Sequence, residues 1–164
     1  MNNISLIGMP GSGKSTLGIV LAKLLGYTFV DTDILIQNKE ERLLQDIIDT
    51  DGINGFLNIE SRVITSYDYN KAVIATGGSA VLCENTMLYL SNLSTMIYLK
   101  VDYETITTRI MNFKSRGIVM SSDQSLHDVY EIREPLYEEH ADIIVDCSGK
   151  EFEEVINQII KFLG

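Results

Sequence analysis

Short apolar runs alternate with longer amphipathic stretches along the whole chain. The apolar runs predict strands at 3–7, 28–30, 72–75, 95–99 and 142–145. Apolar residues at helical spacing predict helices at 15–25, 34–48, 55–68, 84–91, 102–113, 125–139 and 151–162. Because strands that alternate with helices are typical of βαβ units, we predict an α/β fold with a parallel sheet and helices on both faces.

The loop at 8–15 is the most specific motif of the chain. It reads GMPGSGKS and fits the phosphate-binding pattern G-x-x-x-x-G-K-[ST] between a predicted strand and a predicted helix. Its glycines let backbone N–H groups turn toward phosphate oxygens, and the following helix directs its positive end at the same point. We therefore expect ATP to bind through Gly11, Ser12, Gly13, Lys14, Ser15 and Thr16.

Two residues of this loop have predicted chemical roles. Lys14 is expected to contact the β- and γ-phosphates as a catalytic cation, and the Ser15 hydroxyl is expected to ligate Mg²⁺. The alternative, a chance glycine-rich turn, does not explain why the strand, loop and helix follow in the order that the motif requires.

Polar and glycine-rich residues also follow two other predicted strands. Asp31 and Asp33 come after the second strand, and Gly77 and Gly78 come after the third. One carboxylate could support the metal, and the other could accept the proton of a substrate hydroxyl. The alternatives are a helix N-cap for the aspartates and a plain tight turn for the glycines. Ligands of a parallel sheet bind at the carboxyl ends of its strands, so these loops are expected to form one pocket.

The segment at about 113–124 has little periodicity and lies between two predicted helices. A long irregular segment in a compact domain is often a lid, and Arg116 within it could contact the transferring phosphoryl group. The alternative is a solvated arginine in a surface loop. We predict one domain over 1–164, with this lid and a substrate-binding helical region at about 33–60.

Charge and cysteine content limit the partners and the compartment. The net charge of −10 argues against a nucleic-acid surface, which needs a basic face. No apolar stretch is long enough for a membrane span, and no signal peptide is evident. Cys83 and Cys147 have no metal-ligand spacing and are expected to be reduced thiols. We expect a cytoplasmic monomer without a nucleic-acid or membrane partner.

The chain resembles the shikimate kinases, a family of small P-loop kinases, over nearly its whole length. The resemblance rests on GMPGSGKST at the start, VDTD at 30–33, GFLNIE at 55–60, ATGGS at 75–79 and REPLYEEHAD at 133–142. It implies a three-layer P-loop kinase fold with a five-stranded parallel sheet and a lid. It also implies ATP-dependent phosphorylation of a hydroxyl of shikimate, with Mg²⁺.

The resemblance implies a role for each matching residue. Asp31 would assist Mg²⁺, and Asp33 would hold the substrate hydroxyls as the catalytic acceptor base. The other implied contacts are Gly77 and Gly78 along the substrate ring, Arg133 on the substrate carboxylate, Arg109 near adenine and Arg116 in the lid.

Three positions depart from the family pattern. Leu57 stands where the family usually has an arginine that binds the substrate carboxylate, Ser79 replaces the third glycine of Gly-Gly-Gly, and Gly117-Ile118 replaces Pro-Leu after the lid arginine. The departure at Leu57 keeps a second acceptor open, a hydroxyl metabolite less acidic than shikimate. A nucleotide-binding module without catalysis is a further alternative, disfavoured by the presence of Lys14, Ser15, Asp31 and Asp33.

Overall fold

A five-stranded parallel sheet forms the centre of the molecule. The computed structural model describes residues 3–111 and 117–164. Its strands are β1 (Asn3–Ile7), β2 (Thr28–Asp31), β3 (Ala72–Ala75), β4 (Ser94–Lys100) and β5 (Ile143–Asp146). Their order across the sheet is β2-β3-β1-β4-β5, and every pair is parallel. The five predicted strands are confirmed, with bounds that differ by one residue at most.

Strand β1 lies in the middle of the sheet, between β3 and β4. All five of its residues are buried, and Ile4 pairs with Val73 of β3 and Thr95 of β4. The chain leaves β1, forms the edge strand β2, returns to β3 and then crosses to β4. The loops after β1, β2 and β3 therefore meet at one edge of the sheet, as the sequence predicts for a ligand site.

Seven helices cover the two faces of the sheet in the described ranges. They are α1 (Lys14–Leu25), α2 (Thr32–Glu40), α3 (Leu44–Thr65), α4 (Glu84–Leu93), α5 (Tyr103–Met111), α6 (Leu126–His140) and α7 (Phe152–Leu163). A short 3₁₀ turn at Ala80–Leu82 precedes α4. Within those ranges no helix is long and apolar enough to cross a membrane.

The predicted helix at 34–48 is wrong, because two helices occupy this region. Helix α2 ends at Glu40, and Glu41 adopts a left-handed conformation with φ of 52°. Helix α3 then begins at Leu44, whose N–H donates to the Gln37 side-chain oxygen at 3.2 Å. It continues through the predicted start at 55 and bends at Gly52, where φ is 74° and ψ is 176°. The apolar spacing continued through both interruptions and concealed them.

Two apolar clusters fix the helices. The larger one lies between the sheet and its covering helices. The smaller one, which we call the acceptor-side cluster, is formed by Ile36, Leu44, Ile47, Phe56, Val63 and Val119. Burial of each such side chain contributes about 1.5–3 kcal/mol. The cluster therefore holds α2, α3 and the segment around residue 119 together beside the carboxyl edge of the sheet.

Candidate active site

The loop between β1 and α1 holds the Lys14 side chain with hydrogen bonds to its own backbone and to one hydroxyl. The Lys14 Nζ donates to the carbonyl oxygens of Gly8 and Met9, each at 2.8 Å, and to Ser12 Oγ at 3.3 Å. Gly8 has no room for a side chain, because a Cβ there would lie 2.9 Å from a backbone oxygen of β4. Lys14 is buried at the start of α1, where its charge adds to the positive end of the helix.

Ser15 and Asp31 bring two hard oxygen ligands together beside this loop. Ser15 Oγ donates to Asp31 Oδ2 at 2.7 Å. The other oxygen, Asp31 Oδ1, accepts from the backbone N–H groups of Asp33 and Ile34 and so caps α2. Asp31 therefore forms the helix cap that was the alternative prediction for this residue, and its second oxygen contacts Ser15.

This pair fits a magnesium ion that takes most of its ligands from phosphate and water. Hydroxyl and carboxylate oxygens are the donors that Mg²⁺ prefers, usually with one or two protein ligands. Over residues 3–111 and 117–164, no group of three or more His, Cys, Asp or Glu side chains could hold a metal by itself.

Asp33 faces the loop after β3 from the first turn of α2. A Cβ built on Gly77 would lie 2.6 Å from Asp33 Oδ1 and 3.0 Å from Glu60 Oε2. Gly77 also donates its N–H to Thr32 Oγ1 at 3.1 Å, which fixes the loop against α2. A side chain at position 77 would therefore displace one of two carboxyl groups that approach the same point of the backbone.

Glu60 is a polar residue of the site to which the sequence analysis gave no role. Its side chain is 1% exposed, and Ser79 Oγ lies 2.9 and 3.0 Å from its two carboxyl oxygens. Burial, followed by the nearby charge of Asp33, raises the pKa of Glu60 to about 8. Its spacing from Phe56 and Ile64 places it on the apolar face of α3, and this was the signal that sequence reasoning overlooked.

Arg133 lies opposite these carboxyl groups, on α6. It is 3% exposed, and its Nη2 donates to the backbone carbonyl of Val119. Its Nη1 is buried and has no hydrogen-bond partner among the described residues. One turn further along α6, the Tyr137 hydroxyl donates to the carbonyl of Gly78 at 2.5 Å. Helix α6 therefore supplies a guanidinium to the site and also holds the Gly77-Gly78 loop.

The site residues line two cavities that meet at the P-loop. The first has a volume of about 390 Å³ and is lined on its polar side by Lys14, Ser15, Asp33, Gln37, Thr76, Ser79 and Arg133. The second has a volume of about 360 Å³ and includes Arg109, Ile110, Cys147, Lys150 and Phe152. Arg109 Nη1 donates to the Gly11 carbonyl at 2.9 Å. Gly11, Gly13 and Thr16 line both cavities.

The positions that depart from the family pattern have different surroundings. The Leu57 side chain is half-buried against the acceptor-side cluster and is not among the residues that line the first cavity. Arg42 and Arg62 do not replace a cation there, because Arg42 pairs with Asp51 at 2.9 Å and Arg62 pairs with Glu40 at 2.5 Å. Arg116, predicted to be a lid arginine, lies outside the described residues.

The segment that follows the predicted lid arginine forms part of the cavity wall. Gly117 has φ of 61°, and a Cβ there would lie 2.7 Å from Leu44 Cβ at the start of α3. Gly117, Ile118 and Val119 all line the first cavity. Residues 117–119, which lie within the segment predicted to be a lid, therefore pack against the acceptor-side helices rather than in solvent.

Comparisons with known proteins identify the family of this chain. The family model for shikimate kinase matches residues 10–164. A shikimate kinase of Histophilus somni is 36% identical over 98% of this chain and 94% of its own length. A solved structure of shikimate kinase from Acinetobacter baumannii in complex with shikimate has a TM-score of 0.90 at 30% identity, covering 99% of this chain and 93% of its own. The shikimate kinase of Aquifex aeolicus has a TM-score of 0.82 at 28% identity, with 98% and 95% covered. A P-loop, two carboxylates and a buried arginine around one cavity, together with these matches, show that the chain belongs to the shikimate kinase family.

Proposed function

We propose that this phosphotransferase moves the γ-phosphoryl group of ATP to a hydroxyl group of shikimate, with the two substrates meeting in the first cavity. The observation that carries the proposal is the lining of that cavity, where Lys14, Asp33 and Arg133 surround one space. A cation for phosphate, a carboxylate for a hydroxyl and a guanidinium for a carboxylate are the three groups that this reaction needs.

In this proposal the P-loop binds the ATP phosphates. Backbone N–H groups of 11–16 and the Lys14 ammonium stabilise the charge that develops on the transferring group. Ser15 and Asp31 would hold a magnesium ion. When bound, the ion neutralises phosphate charge and orients the phosphates. The second cavity is proposed to receive the base of the nucleotide, with Arg109 at its wall.

Asp33 is proposed to act on the acceptor hydroxyl. The hydroxyl oxygen forms a bond to the γ-phosphorus, the bond from that phosphorus to the bridging oxygen breaks, and its electron pair remains on ADP. The hydroxyl proton passes to Asp33. Gly77 and Gly78 let the acceptor approach the backbone closely, and Arg116 is proposed to contact the transferring group from a lid at about 113–124.

Arg133 favours an acidic acceptor over an uncharged one. Its buried Nη1 has no partner in the described part of the chain, and a buried donor without a partner costs about 1–3 kcal/mol. A carboxylate on the acceptor would satisfy it with a charge-assisted hydrogen bond. This observation supports shikimate over a less acidic hydroxyl metabolite, although Leu57 removes the second family arginine.

The proposal is tested by measuring ADP release and ³¹P NMR of the product with shikimate as acceptor. We expect product formation by the unmodified chain and a loss of kcat of about 10²-fold or more in Asp33→Asn. Asp68→Asn is the matched control, because Asp68 is exposed and outside both cavities. Full kcat in Asp33→Asn would leave this carboxylate only a structural role.

The proposal includes a reducing compartment and a single chain. Cys83 and Cys147 carry unpaired thiols, which supports the cytoplasm as the site of action. Light scattering after size-exclusion chromatography tests the monomer that the sequence predicts.

A further inference from the structure

Glu60 and Ser79 form a buried polar pair beside the first cavity, which we call the acceptor cavity; Ser79 lines this cavity and Glu60 contacts Ser79. Ser79 Oγ is within 3.0 Å of both Glu60 oxygens, and both residues are at least 95% buried. Ser79 is one of the departures from the family pattern, and it lines the cavity. The pair is therefore a feature of this chain that the family resemblance does not explain.

Charged groups surround Glu60 from several elements. Asp33 faces it from α2, since both carboxyl groups lie within 3.0 Å of the position of a Cβ on Gly77. Arg133 and Tyr137 face it from α6, and Cys83 faces it from the start of α4. Arg133 donates its Nη2 hydrogen bond to Val119 and not to Glu60.

The charge balance of the cavity depends on Glu60. If Glu60 were ionised, two adjacent carboxylates would face the Arg133 guanidinium, and the cavity would repel an anionic acceptor. Leu57 supplies no cation to offset the second carboxylate. If Glu60 carries a proton, Asp33 and Arg133 balance each other and the guanidinium keeps its attraction for a carboxylate.

We propose that Glu60 is a positioning and specificity-determining residue, kept as a neutral carboxylic acid by its burial beside Asp33, and that the missing charge of Glu60 compensates for the missing cation at Leu57. The inference rests on the proposed acceptor site. Its consequence is that an acidic acceptor binds well while Glu60 is protonated and poorly once Glu60 ionises, whereas the binding of ATP in the neighbouring loop changes little.

The burial of Glu60 determines the pH at which the binding of an acidic acceptor should weaken. Burial first, then the charge of Asp33, raises the pKa of Glu60 to about 8, while the Ser79 hydrogen bond and the Arg133 charge act in the opposite direction. The KM for shikimate is therefore expected to rise by about tenfold between pH 7 and pH 9, because binding requires the protonated form of one group with this pKa. The KM for ATP should stay within about twofold.

Three variants test the assignment by their pH profiles. Glu60→Gln should show a nearly constant KM for shikimate from pH 7 to pH 9, because its amide cannot ionise. Ser79→Ala removes a donor that favours the ionised acid, so the rise in KM should move to higher pH. Glu104→Gln is the matched control, because Glu104 is exposed and lines neither cavity, and this variant should keep the wild-type profile.

A direct measurement separates this inference from the proposed function. In protein labelled with ¹³C at glutamate carboxyl groups, the resonance missing from Glu60→Gln identifies Glu60, and its titration midpoint should lie near 8. A midpoint near 4.5, or a KM increase of tenfold or more at pH 7 in Glu60→Gln, would overturn the inference. If the unmodified chain does not phosphorylate shikimate, the proposed function fails, and the NMR titration still decides the state of Glu60.

Discussion

Pro10 of the P-loop packs directly against Gly78 of the acceptor loop. A Cβ on Gly78 would lie 2.5 Å from Pro10 Cδ and 2.8 Å from its Cγ. A proline ring cannot move aside as a flexible side chain would. The nucleotide loop and the acceptor loop are therefore held at a fixed separation by contact between two residues that carry no charge.

Gly78→Ala should separate the two loops. It should therefore lower kcat/KM while the protein still folds. We expect kcat/KM to fall by about tenfold or more, because a displacement of the reacting groups by a fraction of an ångström weakens transfer strongly. Gly26→Ala is the control. Gly26 has φ of 68° with no atom near its Cβ position, so this change should lower stability by about 1–2 kcal/mol without altering kcat/KM. Equal kinetics for both variants would contradict the prediction.

Lys14→Met should abolish most of the turnover while keeping the volume of the side chain. The loss of the ammonium removes charge stabilisation from the phosphates, for which we expect a decrease in kcat of about 10²-fold or more. Because Lys14 also donates to the carbonyls of Gly8 and Met9, thermal unfolding should be measured alongside. Lys23→Met, an exposed position on the same helix, should retain activity. Calorimetry with equal ATP affinity and full kcat in Lys14→Met would refute the role.

Arg133→Met should raise the KM for shikimate by about tenfold or more, the loss expected for one charge-assisted hydrogen bond. The KM for ATP should change little, because Arg133 lies on α6 away from the second cavity. Arg62→Met provides the comparison, since Arg62 is exposed and pairs with Glu40. A KM for shikimate that is equal in Arg133→Met and Arg62→Met would show that the acceptor is anchored elsewhere.

Leu57→Arg should remove the alkaline rise in the KM for shikimate. Positions 57 and 60 are three residues apart on α3, so their side chains are neighbours on the helix surface. A cation there would lower the pKa of Glu60 and keep its carboxylate paired, which leaves no ionisation step between pH 7 and pH 9. We also expect a KM at pH 7 that is lower by up to about tenfold. An unchanged pH profile in this variant would contradict the link between the two positions.

The stability of the protein should fall with rising pH because of Glu60. The folded state holds the Glu60 proton up to a pKa of about 8, whereas the unfolded chain releases it near 4.5. Between these values the folded state binds more protons, so the free energy of unfolding decreases as pH rises and this decrease stops above about 8. Urea titrations at several pH values should show this slope in the wild type and a flatter one in Glu60→Gln. Parallel curves would mean that Glu60 is already ionised.

The sequence was sufficient for the order of elements because each strand is a short apolar run beside a strong helical pattern. It also predicted that the P-loop and the loop that carries Asp31 and Asp33 lie at the same edge of the sheet. It failed at the break between α2 and α3, where apolar spacing continued across a left-handed Glu41.

The contacts within the acceptor cavity were beyond sequence reasoning for a different reason. Glu60 meets Ser79 across 19 positions of sequence, and the partner of Arg133 is a backbone carbonyl at Val119. Neither contact corresponds to a residue spacing in the sequence that a motif could identify. Similarly, the apolar character of Leu57 was evident, but only the fold shows that it packs against the acceptor-side cluster.

The packing of Gly117 against Leu44 has an evolutionary consequence. Residues 117–119 line the acceptor cavity, and none of them is among the residues proposed to act in phosphoryl transfer. Substitutions here can therefore reshape the acceptor space while the P-loop and Asp33 keep their positions. When this lineage acquires a preference for a new acceptor, we expect the first substitutions at these three residues. Such substitutions change the shape of the cavity and leave the reacting groups unchanged.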